Sequence, residues 1–135
     1  MLDHLQMEEV VRSSLGPASE LAVSRSAGAH HQLTLTIDAT SPDSTRPRPE
    51  RVQARIVTNG VDAFLLDLDG RFEYRDIDWD SEGQKEILTL LTMLAEAYLA
   101  GNGREAEKRG ALGRRHGELT LELAGQTYRL RGVRR

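Results

Sequence analysis

The chain has 135 residues, 39% hydrophobic and 29% charged, with 18 basic against 21 acidic side chains and a net charge of −3. That length and balance fit one soluble globular domain, residues 1–135, with a single core that needs no metal or disulfide support. Cysteine is absent, which removes thiol nucleophiles and thiolate zinc sites. No apolar run approaches the roughly 20 residues of a membrane span; the opening Met1–Gln6 also lacks a secretory pattern, so the expectation is a cytoplasmic protein away from the membrane.

In chain order, Asp3 is placed to cap a first helix, in which Met7, Val10, Val11 and Leu15 recur at helical spacing until Gly16-Pro17 stops it. Leu21 and Val23, then Leu33, Leu35 and Ile37, alternate with polar neighbours and predict two half-buried strands. Residues 40–50 carry Pro42, Pro47 and Pro49 among Ser, Asp and Arg, which predicts a mobile surface loop.

Turn chemistry sets the register expected next. A turn at Leu68-Asp69-Gly70 with glycine in the left-handed region pairs Asp67 with Arg71, Leu66 with Phe72 and Phe64 with Tyr74. All the large apolar groups then share one face, whereas a two-residue loop would mix them with charges. A similar turn at Thr58-Asn59-Gly60 pairs Ala54 with Phe64 and Val52 with Leu66, completing a three-stranded meander.

Ser81 and Gln84 have the spacing of a capping box. The helix they open carries Ile87, Leu88, Leu90, Leu91, Met93, Leu94, Tyr98 and Leu99 before Gly101-Asn102-Gly103 ends it. So broad an apolar arc calls for deep burial or a second chain, because each Leu or Ile left in water forfeits about 1.5–3 kcal/mol. A Gly/Arg-rich connection, 101–117, leads to a hairpin turning at Ala124-Gly125 that pairs Leu121 with Tyr128, Leu119 with Leu130 and Glu118 with Arg131. The expected fold class is α+β, in the order α-β-β-β-β-β-α-β-β, with a mostly antiparallel sheet and the central helix packed on one face.

Several motifs carry chemical meaning. Phe64-Leu65-Leu66-Asp67-Leu68-Asp69-Gly70 resembles the first motif of the haloacid dehalogenase family, which implies a small hydrolase with Asp67 as nucleophile, Asp69 as acid or base, and Mg²⁺ between them. Arg71 stands where that family has Thr or Val, and a second strand follows where it needs a crossover helix. A turn already accounts for Asp69 and Gly70. The acidic residues from Asp67 to Glu82 lack the EF-hand spacing, and His4, His30, His31 and His116 lack helical ligand spacing. No catalytic residue, metal or cofactor is assigned from the sequence.

Gly110-Ala111-Leu112-Gly113 has the spacing of the GxxG loop of KH domains, and with Arg109, Arg114 and Arg115 it forms the alternative site, for phosphate or nucleic acid. A strand follows where a KH domain has a helix, aromatic interleaving is sparse, and the pI is about 5.8, so nucleic acid is the weaker reading.

Charge is instead the leading clue. Between Asp62 and Glu82 eight carboxylates face only Arg71 and Arg75, a local excess able to choose a partner. Asp76, Asp78 and Asp80 around Trp79, the only tryptophan, form the expected partner-binding patch, with the three carboxylates pointing one way at roughly 7 Å spacing if they share a strand. The expected role of Trp79 is packing at the strand-to-helix junction; exposed, it would instead resemble an interface anchor. From Arg104 to Arg135 nine basic residues face four acidic ones, so two copies docking acidic block to basic tail make a homodimer a second partner expectation. Sixteen of the eighteen basic residues are arginine, a bias that suggests a GC-rich bacterial genome. The element order resembles small dimeric secretion chaperones, and the acidic surface suits neutralisation of a basic effector in the manner of immunity proteins. Both resemblances imply a non-catalytic protein-binding domain.

Overall fold

A computed structural model describes residues 1–25, 32–39, 53–109 and 115–133. The 40–50 segment, His30, His31 and the expected Val52 pairing lie outside the described residues. The elements are α1 (His4–Ser14), β1 (Ser19–Arg25), β2 (Leu33–Ala39), β3 (Gln53–Thr58), β4 (Ala63–Leu68), β5 (Phe72–Ile77), α2 (Ser81–Leu99), β6 (Arg104–Arg109), β7 (Arg115–Leu123) and β8 (Gln126–Gly132). The fold is α+β. Eight strands form one sheet in the order β1-β2-β3-β4-β5-β8-β7-β6, every pairing antiparallel. None of the described helices is long and apolar enough to cross a membrane.

Alternation builds the core. Leu33, Leu35 and Ile37 of β2, Ala54 and Ile56 of β3, Phe64, Leu66 and Leu68 of β4, and Leu119, Leu121 and Leu130 of the last hairpin are all buried. Against them lies α2, which buries Ile87, Leu88, Leu91, Leu94, Ala95 and Ala97 and contacts β2, β3, β4 and β7. Its second flank takes α1, whose Met7 and Val11 are fully covered. Most of the broad apolar arc of α2 is therefore covered within one chain, with Leu90, Tyr98 and Leu99 partly buried and Met93 exposed. At the start of α1, Asp3 accepts from the Gln6 amide at 2.8 Å while the Gln6 side chain accepts from the Asp3 amide at 2.9 Å, a reciprocal cap.

Two hairpins keep the expected faces but not the expected partners. Leu68 pairs with Phe72 and Leu66 with Tyr74, two residues displaced from the sequence-based register. Asp69 (φ 56°) and Gly70 (φ 68°) both take the left-handed conformation, and the Arg71 amide donates to the Leu68 carbonyl at 2.9 Å. The turn is thus centred one residue later. Between β3 and β4 the displacement is four residues, with Ala54 opposite Leu68. There Asn59 Oδ1 accepts from the amides of Val61, Asp62 and Ala63 at 2.9–3.1 Å, which stabilises a longer loop than a tight turn. Even-numbered displacements preserve which side chains face the helices, so the core survives both. The β7–β8 register agrees with expectation at Leu121–Tyr128, Leu119–Leu130 and Glu118–Arg131.

Strand β6 lies inside the segment read as a connection, so three strands follow α2 where two were expected. Arg-Glu-Ala-Glu-Lys-Arg has no apolar alternation to announce it. It pairs with β7 over six residues, supported by Arg104–Glu122 at 3.1 Å and, from the β4–β5 turn, Arg71–Glu105 at 2.7 Å.

Candidate interaction surface

The start of α2 is organised by Gln84, a residue read from the sequence as half of a capping box. That box does not form. Asp80 is the N-cap, without a side-chain capping bond, and Ser81 is the first helical residue. Gln84 turns inward and is fully buried. Its Nε2 donates to the carbonyls of Val61 (2.6 Å) and Asp78 (3.0 Å), and its Oε1 accepts from the Leu2 amide (2.8 Å). A primary amide supplies two donors and one acceptor, enough to join the β3–β4 loop, the β5–α2 connection and the segment before α1. The Asp78 amide adds a bond to the Asp62 carbonyl at 3.0 Å.

The expected row of three carboxylates is broken by this arrangement, because β5 ends at Ile77. Asp76 stands opposite Phe64, on the side of the sheet that carries the helices, and its Oδ1 accepts from the Ile77 amide at 2.8 Å. Asp78 accepts from the Asp80 amide at 2.9 Å, and its carboxylate lies against Gly83, where any Cβ would collide with it. It serves the first turn of α2, where the helix dipole favours negative charge. Asp80 is exposed. The three carboxylates gather at one end of the molecule but do not share a strand face.

Apolar side chains accompany them. Among the described residues seven large apolar side chains are exposed, and Met1, Leu5, Val61, Ile77 and Trp79 of these belong to the braced segments or the start of α1. Trp79 is 67% and Ile77 65% exposed, so the tryptophan does not pack into the strand-to-helix junction. Ile77 was missed by sequence reasoning although a signal existed. Phe72 and Tyr74 face the core, so Glu73, Arg75 and Ile77 must face away from it. An open groove of about 1040 Å³ runs beside this end, lined by Met1, Val57, Ala63, Leu65 and Ile77 together with Arg75 and Asp76. On the core side of β5, burial first and the Asp76 charge second raise the Tyr74 phenol above its ordinary pKa.

At the other end of β4 the carboxylates are engaged internally. Asp67 meets Arg55 at 2.7 Å on the helix-free face and accepts from the Gly70 amide at 3.0 Å. Asp69 accepts from the Gln53 amide at 2.6 Å and from the Tyr98 hydroxyl of α2 at 2.8 Å. Burial, and then the Asp69 hydrogen bond, push the Tyr98 phenol well above its usual pKa. Asp67 and Asp69 therefore have separate partners on opposite sides of the sheet and do not converge on one reacting atom, as the dehalogenase-like motif would require. Of the arginine-glycine site, Arg109 ends β6 and Arg115 opens β7 directly opposite it, whereas Gly110, Gly113 and Arg114 lie outside the described residues. By strand direction Arg109 and Arg115 lie at the end of the sheet away from Trp79. No protein-family model, no curated protein and no solved structure matches this chain.

Proposed function

We propose that this domain is a non-catalytic protein-binding module that captures a basic, partly apolar protein segment at the acidic end around Trp79. The carrying observation is the exposure of Trp79 and Ile77 on a frame held rigid by Gln84, among Asp76, Asp78 and Asp80. Burial of a large aromatic ring supplies affinity, and the surrounding carboxylates supply steering and selectivity for cationic partners. In this reading the protein works in the bacterial cytoplasm, in the manner of an immunity-type inhibitor or a secretion chaperone, with Asp80 and Trp79 making first contact and Asp78 holding the helix start in place.

Because Trp79 is the only tryptophan, its fluorescence reads this surface directly. The expected outcome is a blue shift of Trp79 emission on titration with a synthetic peptide of alternating arginine and leucine, and none with an alternating glutamate and leucine peptide. Asp80→Lys should weaken the cationic peptide at least tenfold, which corresponds to about 1.4 kcal/mol. Equal responses to both peptides, or no response to either, would overturn the reading.

A further inference from the structure

The sheet ends in two unlike edges. On one side β6 presents Arg104, Glu105, Ala106 and Glu107, all exposed, with charges along its length, the pattern that discourages a further strand. On the other side β1, Ser-Glu-Leu-Ala-Val-Ser-Arg, has an uncharged centre, no lysine and no proline. It is paired along all seven residues with β2 on one side only, since no described strand adjoins its other side. Leu21 and Val23 face the helices opposite Ile37 and Leu35; those two are fully buried, yet Leu21 and Val23 are only half-covered. Arg25, the cation at its end, is drawn back to Glu8 of α1 at 3.3 Å.

The order of residues in β1 is nearly symmetric about Ala22. A two-fold axis through Ala22, perpendicular to the sheet, sets Ala22 against Ala22 of a second copy, Leu21 against Val23, Glu20 against Ser24 and Ser19 against Arg25. Every pair then shares a face, apolar meets apolar on the helix side, and no like charges oppose one another. A slip of one residue sends Leu21 and Val23 to the wrong face, and a slip of two sets Leu21 against Arg25 or Val23 against Ser19. We infer that β1 is a homodimer edge, through which two copies join antiparallel about Ala22 into one continuous sheet with all four helices on the same side. The closed two-fold removes both unguarded edges at once. This inference stands on β1 alone and does not depend on the surface around Trp79.

Light scattering on the full chain tests it, with an expected mass of twice 15.0 kDa that persists at high salt. Ala22 is exposed, so Ala22→Lys should leave the circular dichroism unchanged while two ammonium groups meet across the axis and the mass falls to that of one chain. The protein has no cysteine, so single cysteines report position without background. Under mild oxidation Ala22→Cys should form a covalent dimer rapidly, because directly opposed Cβ atoms lie about 4.5–5.5 Å apart; Ala106→Cys on β6 should form no covalent dimer. A parent protein that is monomeric at every soluble concentration overturns the inference. So does a dimer that Ala22→Lys leaves intact, one that salt dissolves, or equal cross-linking at positions 22 and 106.

Discussion

Both ends of the β4–β5 hairpin are rich in carboxylates, and they use them differently. At the turn, Asp67 is taken by Arg55 and the Gly70 amide, and Asp69 by Gln53 and Tyr98, so each acid closes a bond within the fold. At the open end, Asp78 serves the start of α2, while Asp80 stands exposed beside Trp79 with no side-chain capping bond. Nearby segments of one acidic stretch thus yield a locked corner and a presented surface. The difference lies in which neighbours reach the carboxylate: a tyrosine and an arginine at the turn, backbone amides and solvent at the other end. The charge count of this stretch cannot reveal that division, because it depends on side chains brought in from β3 and α2.

The strongest way to break the contrast is to loosen the frame of the presented end. Replacing Gln84 by Leu keeps the volume roughly constant but strands the carbonyls of Val61 and Asp78 and the amide of Leu2. Buried polar groups left unpaired cost about 1–3 kcal/mol each, and partial access of water limits the total, so a loss of roughly 3 kcal/mol is expected in urea unfolding. Hydrogen exchange should accelerate at Leu2 and across 59–62 while the turn at 69–71 keeps its protection. Uniform acceleration at both ends would show that they are not separately braced.

The locked corner is sharpened by Tyr98→Phe, which removes the hydroxyl that donates to Asp69. A hydrogen bond to a carboxylate in a half-buried site sets the expected loss at about 1.5 kcal/mol near neutral pH. Its pH dependence has a definite sign. The folded chain holds the Tyr98 proton more tightly than the unfolded chain, whose phenol keeps its ordinary value of 10.0, with burial the larger cause and the Asp69 bond the second. Below that value both states are protonated and the difference has no effect. Above it the unfolded state sheds its proton first, so the stability of the parent protein falls as pH rises. Urea midpoints at about pH 9 and about pH 11 should differ in the parent and differ less in Tyr98→Phe. A residual slope is expected from Tyr74, which is also raised.

The parts of this molecule legible in its sequence are those governed by period and parity. Alternation in Leu33–Ile37, Phe64–Leu68 and Leu119–Leu123 placed the right side chains on the core face, and two register displacements changed nothing there because both were even. Asn59 misled because its side chain can support either a tight turn or the longer loop it braces, and only the bonds of Val61 to Gln84 of α2 and of Asp62 to Asp78 decide. Strand β6 was invisible because an edge strand whose described side chains, 104–107, are all exposed needs no apolar alternation. Gln84 was misassigned for a similar reason: a local capping bond and a long-range bracket require the same amide, and Leu2 is 82 residues distant in sequence. Asp76, Asp78 and Asp80 were located as a group but not as individuals, since β5 stops at Ile77 and the chain turns between them.

The smallest expected stability effect belongs to the residue on which the functional proposal rests most. Trp79 is 67% exposed, and among the described residues no hydrogen bond of its side chain fixes the β5–α2 connection, which is held by Gln84 and Asp78 instead. Trp79→Ala should therefore change the unfolding free energy by no more than about 0.5 kcal/mol, the range of ordinary surface substitutions. A large loss would mean that the ring is a structural plug, and the presented end would then resemble the locked corner. A small one leaves a costly aromatic side chain in water with no structural return, which is what an anchor awaiting a partner requires. In the unbound protein, acrylamide should quench Trp79 fluorescence nearly as efficiently as free tryptophan, and equally in Gln84→Leu if the ring is already outside the packed frame.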